Sequence, residues 1–393
     1  MRCAVVSPDF PPPFVGGSLV YIHGLVEHCP ERVDVLAGPL PRGVKEALDP
    51  RHAVTRSRLL VGSFAPTRAR LALMYGFVAA WSLVTALRRR YDVAVLNLGL
   101  VGNSLLIPIF RVLQMPVVAV AYAEELTMAL GGRSLKSRLK RRLLRASYPK
   151  ADRFVAVSEF TRRTLVAAGV PAGRIQVIAP MIDWRKHVTT VDGLPGERYI
   201  LAAGRLVARK GFDLLIDALA SLRTRLPGVG LYIVGSGPEG ERLARQIERA
   251  RLGDAVRLLG EVSDDELAAL YRGADLFVLP NVALDNGDCE GCPIVLIEAS
   301  AWGKPVIAGR EGGTSTAVDD GVTGLLVDPR RPGELTAAIE RVLTDTSFAA
   351  RLGSAGQRKV RRDHDPVTNS RAFWDVLQEA GRRTRGSDSE CSG

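Results

Sequence analysis

Cysteine is scarce and dispersed, with five in 393 residues. That is too few and too scattered for the disulfide framework of a small secreted domain. One Cys-x-x-Cys pair is present, Cys289 and Cys292, but no second pair or histidine cluster accompanies it to complete a zinc site. The five histidines show no ligand spacing, and Asp363-His364-Asp365 precedes the last helical segment rather than ending a strand. No metal and no cofactor are therefore expected. Aromatic residues make up only 6% of the chain, and none is interleaved with the basic cluster at 133–145, which argues against nucleic acid. There is no repeat of fixed period, which excludes collagen and solenoid architectures. The uncharged run at residues 71–87 carries Tyr75, Trp81, Ser82 and Thr85. It falls short of the about 20 apolar residues of a membrane span and reads as a buried helix. The chain enters a strand-like run at once rather than a secretory signal, so a cytoplasmic protein with reduced thiols is expected.

What is present is a globular composition, 47% hydrophobic and 24% charged. Charge is unevenly placed: of the total of +11, residues 1–185 carry +14 and the remainder −3. Two modules are implied, the first suited to something anionic. Apolar runs suited to strands fall at 2–7, 33–37, 93–98, 117–122, 154–158 and 175–178. They resume at 199–203, 230–234, 256–259, 276–280, 306–308 and 324–327, with helical spacing between them. Repeated βα units of this length predict parallel sheets covered by helices, and a dozen strands divide more naturally into two doubly wound α/β domains than one. The expected division is 1–184, a linker at 185–197, 198–365, a last helix at 366–381 packing back on the first domain, and a disordered tail at 382–393.

Three clusters carry chemistry. Glu290-Gly291-Cys292-Pro293-Ile294 leads into a helical run bearing Glu298. This places two glutamates eight positions apart beside unpaired helix-start amides, which suit sugar or phosphate oxygens. Taken alone, such a pair also fits a solvated helix face. Gly204-Arg205-Leu206-Val207-Ala208-Arg209-Lys210-Gly211 ends a strand and opens a helix. Its cations are placed for a diphosphate at a strand's carboxyl end, or form a solvated loop. Phe14-Val15-Gly16-Gly17 follows the first strand, as a plain turn or as a backbone surface that an anion approaches.

In their order and spacing these pieces resemble the family-4 retaining glycosyltransferases. The resemblance runs through Val157-Ser158-Glu159, Gly204-Arg205 with Lys210-Gly211, Val234-Gly235-Ser236-Gly237-Pro238-Glu239 and Leu259-Gly260-Glu261-Val262. It continues through Ala274-Asp275-Leu276-Phe277, the glutamate pair, Glu311-Gly312-Gly313 and Gly321-Val322-Thr323-Gly324. It implies the GT-B fold, two facing Rossmann-like domains with a cleft between them, and transfer of a sugar from a nucleoside diphosphate to an acceptor hydroxyl. By that resemblance Arg205 and Lys210 hold the diphosphate, Glu290 the donor sugar and Glu298 the ribose. Gly16, Gly17, Gly291, Cys292 and Ile294 surround the donor; the acceptor, sugar- or lipid-linked, lies on the side of Tyr122 and Glu124. The reaction is metal-independent, a front-face displacement in which the leaving phosphate helps deprotonate the acceptor. A nucleotide-sugar epimerase of the same fold, or a non-catalytic sugar-nucleotide binding module, are the alternatives.

Three positions depart from the family pattern. Tyr122 stands where a histidine is usual, Pro293, which has no amide hydrogen to donate, where glycine is, and Ala179-Pro180-Met181-Ile182-Asp183 where Asn-Gly-x-Asp is. Two other motifs compete with the reading. Gly235-x-Gly237-x-x-Gly240, with Glu261 further on, matches a dinucleotide fingerprint, and Cys289-x-x-Cys292 matches a redox pair. Near Val262, Asp264 could accept from guanine N1–H and N2–H together, where uracil offers only N3–H, so the donor leans toward a GDP- rather than a UDP-sugar. Asp264 could equally start the following helix. Finally, residues 133–145 hold seven Lys/Arg and no acid, with Leu135, Leu139 and Leu143 at i, i+4 spacing. Such a basic amphipathic helix suits an anionic membrane surface, or buries its leucines against the first sheet.

Overall fold

The computed structural model describes residues 1–12, 16–61, 67–88, 90–132, 134–183, 198–331 and 333–387; the expected linker at 185–197 lies outside them. Contacts divide the chain into one unit of Met1–Pro180 with Pro366–Gly393 and another of Met181–Asp365.

The first unit is built on β1 (Cys3–Ser7), β2 (Val33–Ala37), β3 (Ala53–Arg56), β4 (Val93–Leu96), β5 (Val117–Ala121), β6 (Arg153–Ala156) and β7 (Ile175–Val177). They form a seven-stranded sheet in the order β3-β2-β1-β4-β5-β6-β7. Every pairing is parallel, Cys3 standing opposite Val33 on one side and Val93 on the other. The central strands are short Val/Ala/Leu runs buried along their whole length, as a sheet covered on both faces requires. β3, with the sequence AVTR, lies at the edge and is half-exposed. Its short polar run carries no apolar signal, and no strand was expected there.

The helix Pro366–Ser387 closes this unit. Phe373, Leu377 and Ala380 are fully buried, Ser370 Oγ donates to the Gly24 carbonyl at 3.1 Å, and Arg153 pairs with Glu379. The helix runs to Ser387, so residues 382–387, expected as disordered tail, are helical. A second expectation is overturned at Arg68–Leu87. This is a single 20-residue helix, but it is not buried. Met74, Val78, Ser82 and Thr85 face the core, while Leu73 and Leu87 are 64% and 76% exposed. The run is apolar around its whole circumference, so the core covers only one stripe and the rest stays uncovered. By length and composition it could cross a membrane.

The second unit repeats the plan with β8 (Arg198–Ala203), β9 (Val229–Val234), β10 (Val256–Gly260), β11 (Leu276–Leu279), β12 (Val306–Gly309) and β13 (Leu325–Val327), ordered β10-β9-β8-β11-β12-β13. Its named strand pairings are again parallel. Ile200, Leu201, Ile233, Phe277, Val278, Leu296 and Ile307 are fully buried. In both sheets sequence order reverses beside the first strand, between β1 and β4 and between β8 and β11. Loops leaving such a reversal diverge and open a crevice at the carboxyl ends of the strands.

Phe373→Ala removes a fully buried ring from beneath the first sheet. It should destabilise the first unit by about 3–5 kcal/mol and leave the second unit's transition in place. Two-probe denaturant unfolding checks this; a common shift of both transitions contradicts it.

Candidate functional site

The second unit gathers its charged residues at the reversal between β8 and β11. β8 ends at Ala203, and the chain passes through Gly204, Arg205 and a 3₁₀ turn at Ala208–Lys210. It enters the helix Phe212–Leu222 through Gly211 at φ 69°, where a Cβ would run into the Pro280 carbonyl oxygen. Only glycine lets these two loops touch. The contact is reinforced by Val282 N–H, which donates to the Arg209 carbonyl at 2.8 Å.

On that frame Glu290, in the loop after β11, is buried between two cations. Arg209 Nε donates to its Oε1 at 2.8 Å, and Lys210 Nζ lies 3.1 Å from the same oxygen. Arg209 also reaches Asp288 at 3.3 Å. Burial by itself pushes the Glu290 carboxyl up, but the charges of Lys210 and Arg209 outweigh it and hold the group below the usual glutamate range. The Glu290 carbonyl accepts from Gly313 N–H at 2.9 Å, which brings in the loop after β12.

The structure thus separates the two cations singled out in the sequence. Lys210 is buried on Glu290, whereas Arg205 is exposed at the strand end. Arg209, given no role of its own in the sequence reading, is the residue that locks Glu290. It was hidden because a strand-end Arg-Lys pair does not say which cation turns inward.

Glu298 projects from the helix Ile294–Ala301 and is half-buried. Its Oε2 accepts from the Tyr271 hydroxyl at 2.9 Å. Pro293 is the N-cap of that helix, and Gly291 and Cys292 precede it half-buried. Burial first, then the Glu290 charge, pushes the Cys292 thiol well up. It stays a thiol, and Cys3, Cys29, Cys289 and Cys292 are all unbridged, which leaves no support for a redox pair.

The glycine fingerprint after β9 is explained by packing. At Gly235 a Cβ would collide with the Gly204 carbonyl oxygen, and Leu206 N–H donates to the Ser236 carbonyl at 2.9 Å. Ser236 Oγ donates to Glu261 at 2.5 Å. Val262 and Asp264 follow β10, but Asp264 does not cap the next helix. Ser263 is the N-cap, in a reciprocal capping box with Glu266, which leaves Asp264 exposed in the first turn of Asp264–Gly273.

In the first unit the structure brings Gly16, Gly17 and Tyr122 together. Gly16 is the N-cap of the helix Gly17–Glu27, and the Tyr122 hydroxyl donates to the Ser18 carbonyl at 3.1 Å. Burial pushes the Tyr122 phenol far up, which keeps it a neutral hydrogen-bond donor to Ser18. Glu124, half-buried, lies in the first turn of the helix Ala123–Gly131; Phe14 and Val15 lie outside the described residues. Among the described residues no group of three or more His, Cys, Asp or Glu is placed to hold a metal ion.

The class to which these two parallel α/β units belong is identified by comparison with known proteins. Residues 15–185 match the family model described as Glycosyltransferase Family 4, and residues 191–359 that of the Glycosyl transferases group 1. The chain belongs to this glycosyltransferase family and has the GT-B fold.

Among curated proteins it is 36% identical over 217 residues to the GDP-mannose-dependent alpha-(1-6)-phosphatidylinositol monomannoside mannosyltransferase of Mycolicibacterium smegmatis, a match covering 53% of this chain and 57% of that one. It is 34% identical over 233 residues to the D-inositol 3-phosphate glycosyltransferase of Salinispora arenicola, covering 53% and 51%. The chain thus spans little more than half the length of these curated relatives. Among solved structures, Anabaena HepE in complex with UDP and glucose superposes with a TM-score of 0.73 at 22% identity, covering 96% of this chain and 100% of that one. That likeness concerns the fold.

The Glu290 cluster has a consequence for acid stability. A carboxyl held below its ordinary value stabilises the fold above the unfolded pKa of about 4.3, and that stability is lost as pH falls through the lower folded value. Glu290→Gln should therefore cost the second unit about 3 kcal/mol at neutral pH, by leaving Arg209 and Lys210 without their counter-charge. It should also flatten the loss of stability below about pH 4. Urea unfolding from pH 7 to pH 3 measures both; superimposable acid limbs would overturn the assignment.

Proposed function

We propose that this protein transfers a sugar, with retention and without a metal, from a nucleoside diphosphate to an acceptor hydroxyl. The observation that carries the reading is the buried Lys210–Glu290–Arg209 cluster beside exposed Arg205, at the strand reversal of the second unit. The bond from the anomeric carbon to the β-phosphate oxygen breaks, and negative charge collects on the departing diphosphate. Arg205 and Lys210 stabilise that charge. The acceptor oxygen forms the new bond, and its proton passes to the leaving phosphate. Glu290 positions the donor sugar with Gly291, Cys292 and Ile294 around it, Glu298 holds the ribose, and Val262 and Asp264 meet the base.

A GDP-sugar is the preferred donor. Asp264 is exposed and free of the capping duty that Ser263 performs, and the mycobacterial relatives are named for GDP-mannose. Arg205→Ala and Lys210→Ala should each lower turnover about 10²-fold or more, the scale of a lost charge-stabilising donor. Incubation with GDP-mannose and UDP-glucose, with inositol-type acceptors, reads transfer, isomerised sugar or binding alone. Near-normal transfer by the double variant sinks the diphosphate assignment, and a clear preference for UDP-glucose sinks the base assignment.

The acceptor is lipid-linked, and the protein works at the inner face of a membrane. The helix Leu135–Ser147 supports this reading. It buries Leu144 and Ser147, whereas Leu135 and Leu139 are 81% and 68% exposed, so the leucine stripe does not serve the core as one expectation had it. Arg138, Arg142 and Arg145 are exposed on the same helix, and Arg141 is half-buried. Arg141 itself is tied back to the Ala129 and Gly132 carbonyls and positions the helix rather than meeting headgroups. An outward face with leucines on one flank and arginines on the other suits an anionic interface, where each basic residue contributes about 1 kcal/mol before screening. Cosedimentation with liposomes should rise with anionic lipid and fall with salt. It should drop when Lys136, Arg138, Arg142 and Arg145 become Gln, with activity on a soluble acceptor retained. No binding at low salt refutes the membrane assignment.

A further inference from the structure

The helix Asp264–Gly273 ends close to Tyr271, whose side chain is buried and packed on the Phe277 ring at 5.6 Å. A buried phenol needs one acceptor for its proton. Two stand within reach, the Val295 carbonyl at 3.4 Å and Glu298 Oε2 at 2.9 Å. The shorter contact goes to the carboxylate, and such a charge-assisted bond restricts the rotamers of the side chain that accepts it. Burial, then the Glu298 charge and hydrogen bond, pushes the phenol well up, so Tyr271 keeps its proton and remains a donor.

We infer that Tyr271 is the positioning residue for the ribose-binding carboxylate. Its hydroxyl holds Glu298 in the rotamer that receives the two ribose hydroxyls, and so makes the site selective for a ribonucleoside diphosphate. The inference rests on the proposed role of Glu298. It adds a link between two parts of the donor site, because the helix that begins at Asp264, on the base side, also carries the phenol that sets the ribose carboxylate. A Glu side chain fixed before binding loses less freedom when the ligand arrives, and affinity gained in this way depends on the hydroxyls being present.

The test is a ratio taken within each protein: the affinity for GDP, or for UDP if that binds better, over that for its 2′,3′-dideoxy counterpart, by calorimetry. In the unaltered protein the ribose hydroxyls should be worth about tenfold or more, the scale of a hydrogen bond to a charged group. Tyr271→Phe keeps the ring and removes only the hydroxyl. It should bring the ratio to within about threefold of unity while affinity for the dideoxy nucleotide is unchanged. Glu298→Ala should do the same, and adding Tyr271→Phe to it should change nothing further. Phe277→Leu, which loosens the packing but spares the hydroxyl, should keep the full ratio even though it lowers the melting temperature. A full ratio in Tyr271→Phe beside a collapsed one in Glu298→Ala overturns the inference and leaves the ribose assignment standing. A full ratio in Glu298→Ala overturns that assignment and the inference with it.

Discussion

One carboxylate with two cations on it organises the second unit. Glu290 is buried, and a buried charge is tolerable only when its partners are supplied at close range. Arg209 and Lys210 supply them from the neighbouring loop. That pairing requires the loops after β8 and β11 to lie against one another, which in turn requires a residue without a side chain at Gly211, where the Pro280 carbonyl passes. The Glu290 backbone then anchors the loop after β12 through Gly313. Loops from three strand ends thus meet at one ionised group.

The same cluster has a chemical consequence. Cations held by a carboxylate are already oriented and partly desolvated, so on the proposed reading little reorganisation would remain for a diphosphate, and preorganised charge is usually the largest single contribution to such chemistry. The exposed Arg205 stands outside this cluster. The arrangement therefore contains two cations fixed on the carboxylate, Arg209 and Lys210, and one exposed cation, Arg205. In the first unit the corresponding place is occupied by backbone and a phenol, through Gly16, Gly17 and the Tyr122 contact to Ser18.

Two exposed apolar surfaces of the first unit belong to different physical situations. Along Arg68–Leu87 the sequence is apolar all round, so a one-sided core leaves Leu73 and Leu87 uncovered. On Leu135–Ser147 the sequence is amphipathic, and its leucines at 135 and 139 lie on the outward side with the arginines. Periodicity gave the stripe in the second case. It could not say which way the stripe faces, because burial of Leu144 and Ser147 between neighbouring helices decides the rotation of the helix.

Much of this protein was legible without coordinates. Alternating apolar runs and helical spacing specify parallel α/β units, because strands buried on both faces must be apolar throughout and helices covering them must be apolar on one side. The order of the glycine and glutamate motifs placed the candidate residues after β8, β10 and β11, since each motif follows an apolar strand run and precedes helical spacing. The edge strand β3 escaped because a half-exposed four-residue strand needs no apolar run. Only the tertiary structure decided the rest: that Arg209 rather than Arg205 shares Glu290 with Lys210, that Ser263 rather than Asp264 caps its helix, and that Tyr271 reaches Glu298. Each is a contact between residues brought together by packing, and side chains separated by 27 or 81 positions leave no mark of their proximity in a local pattern.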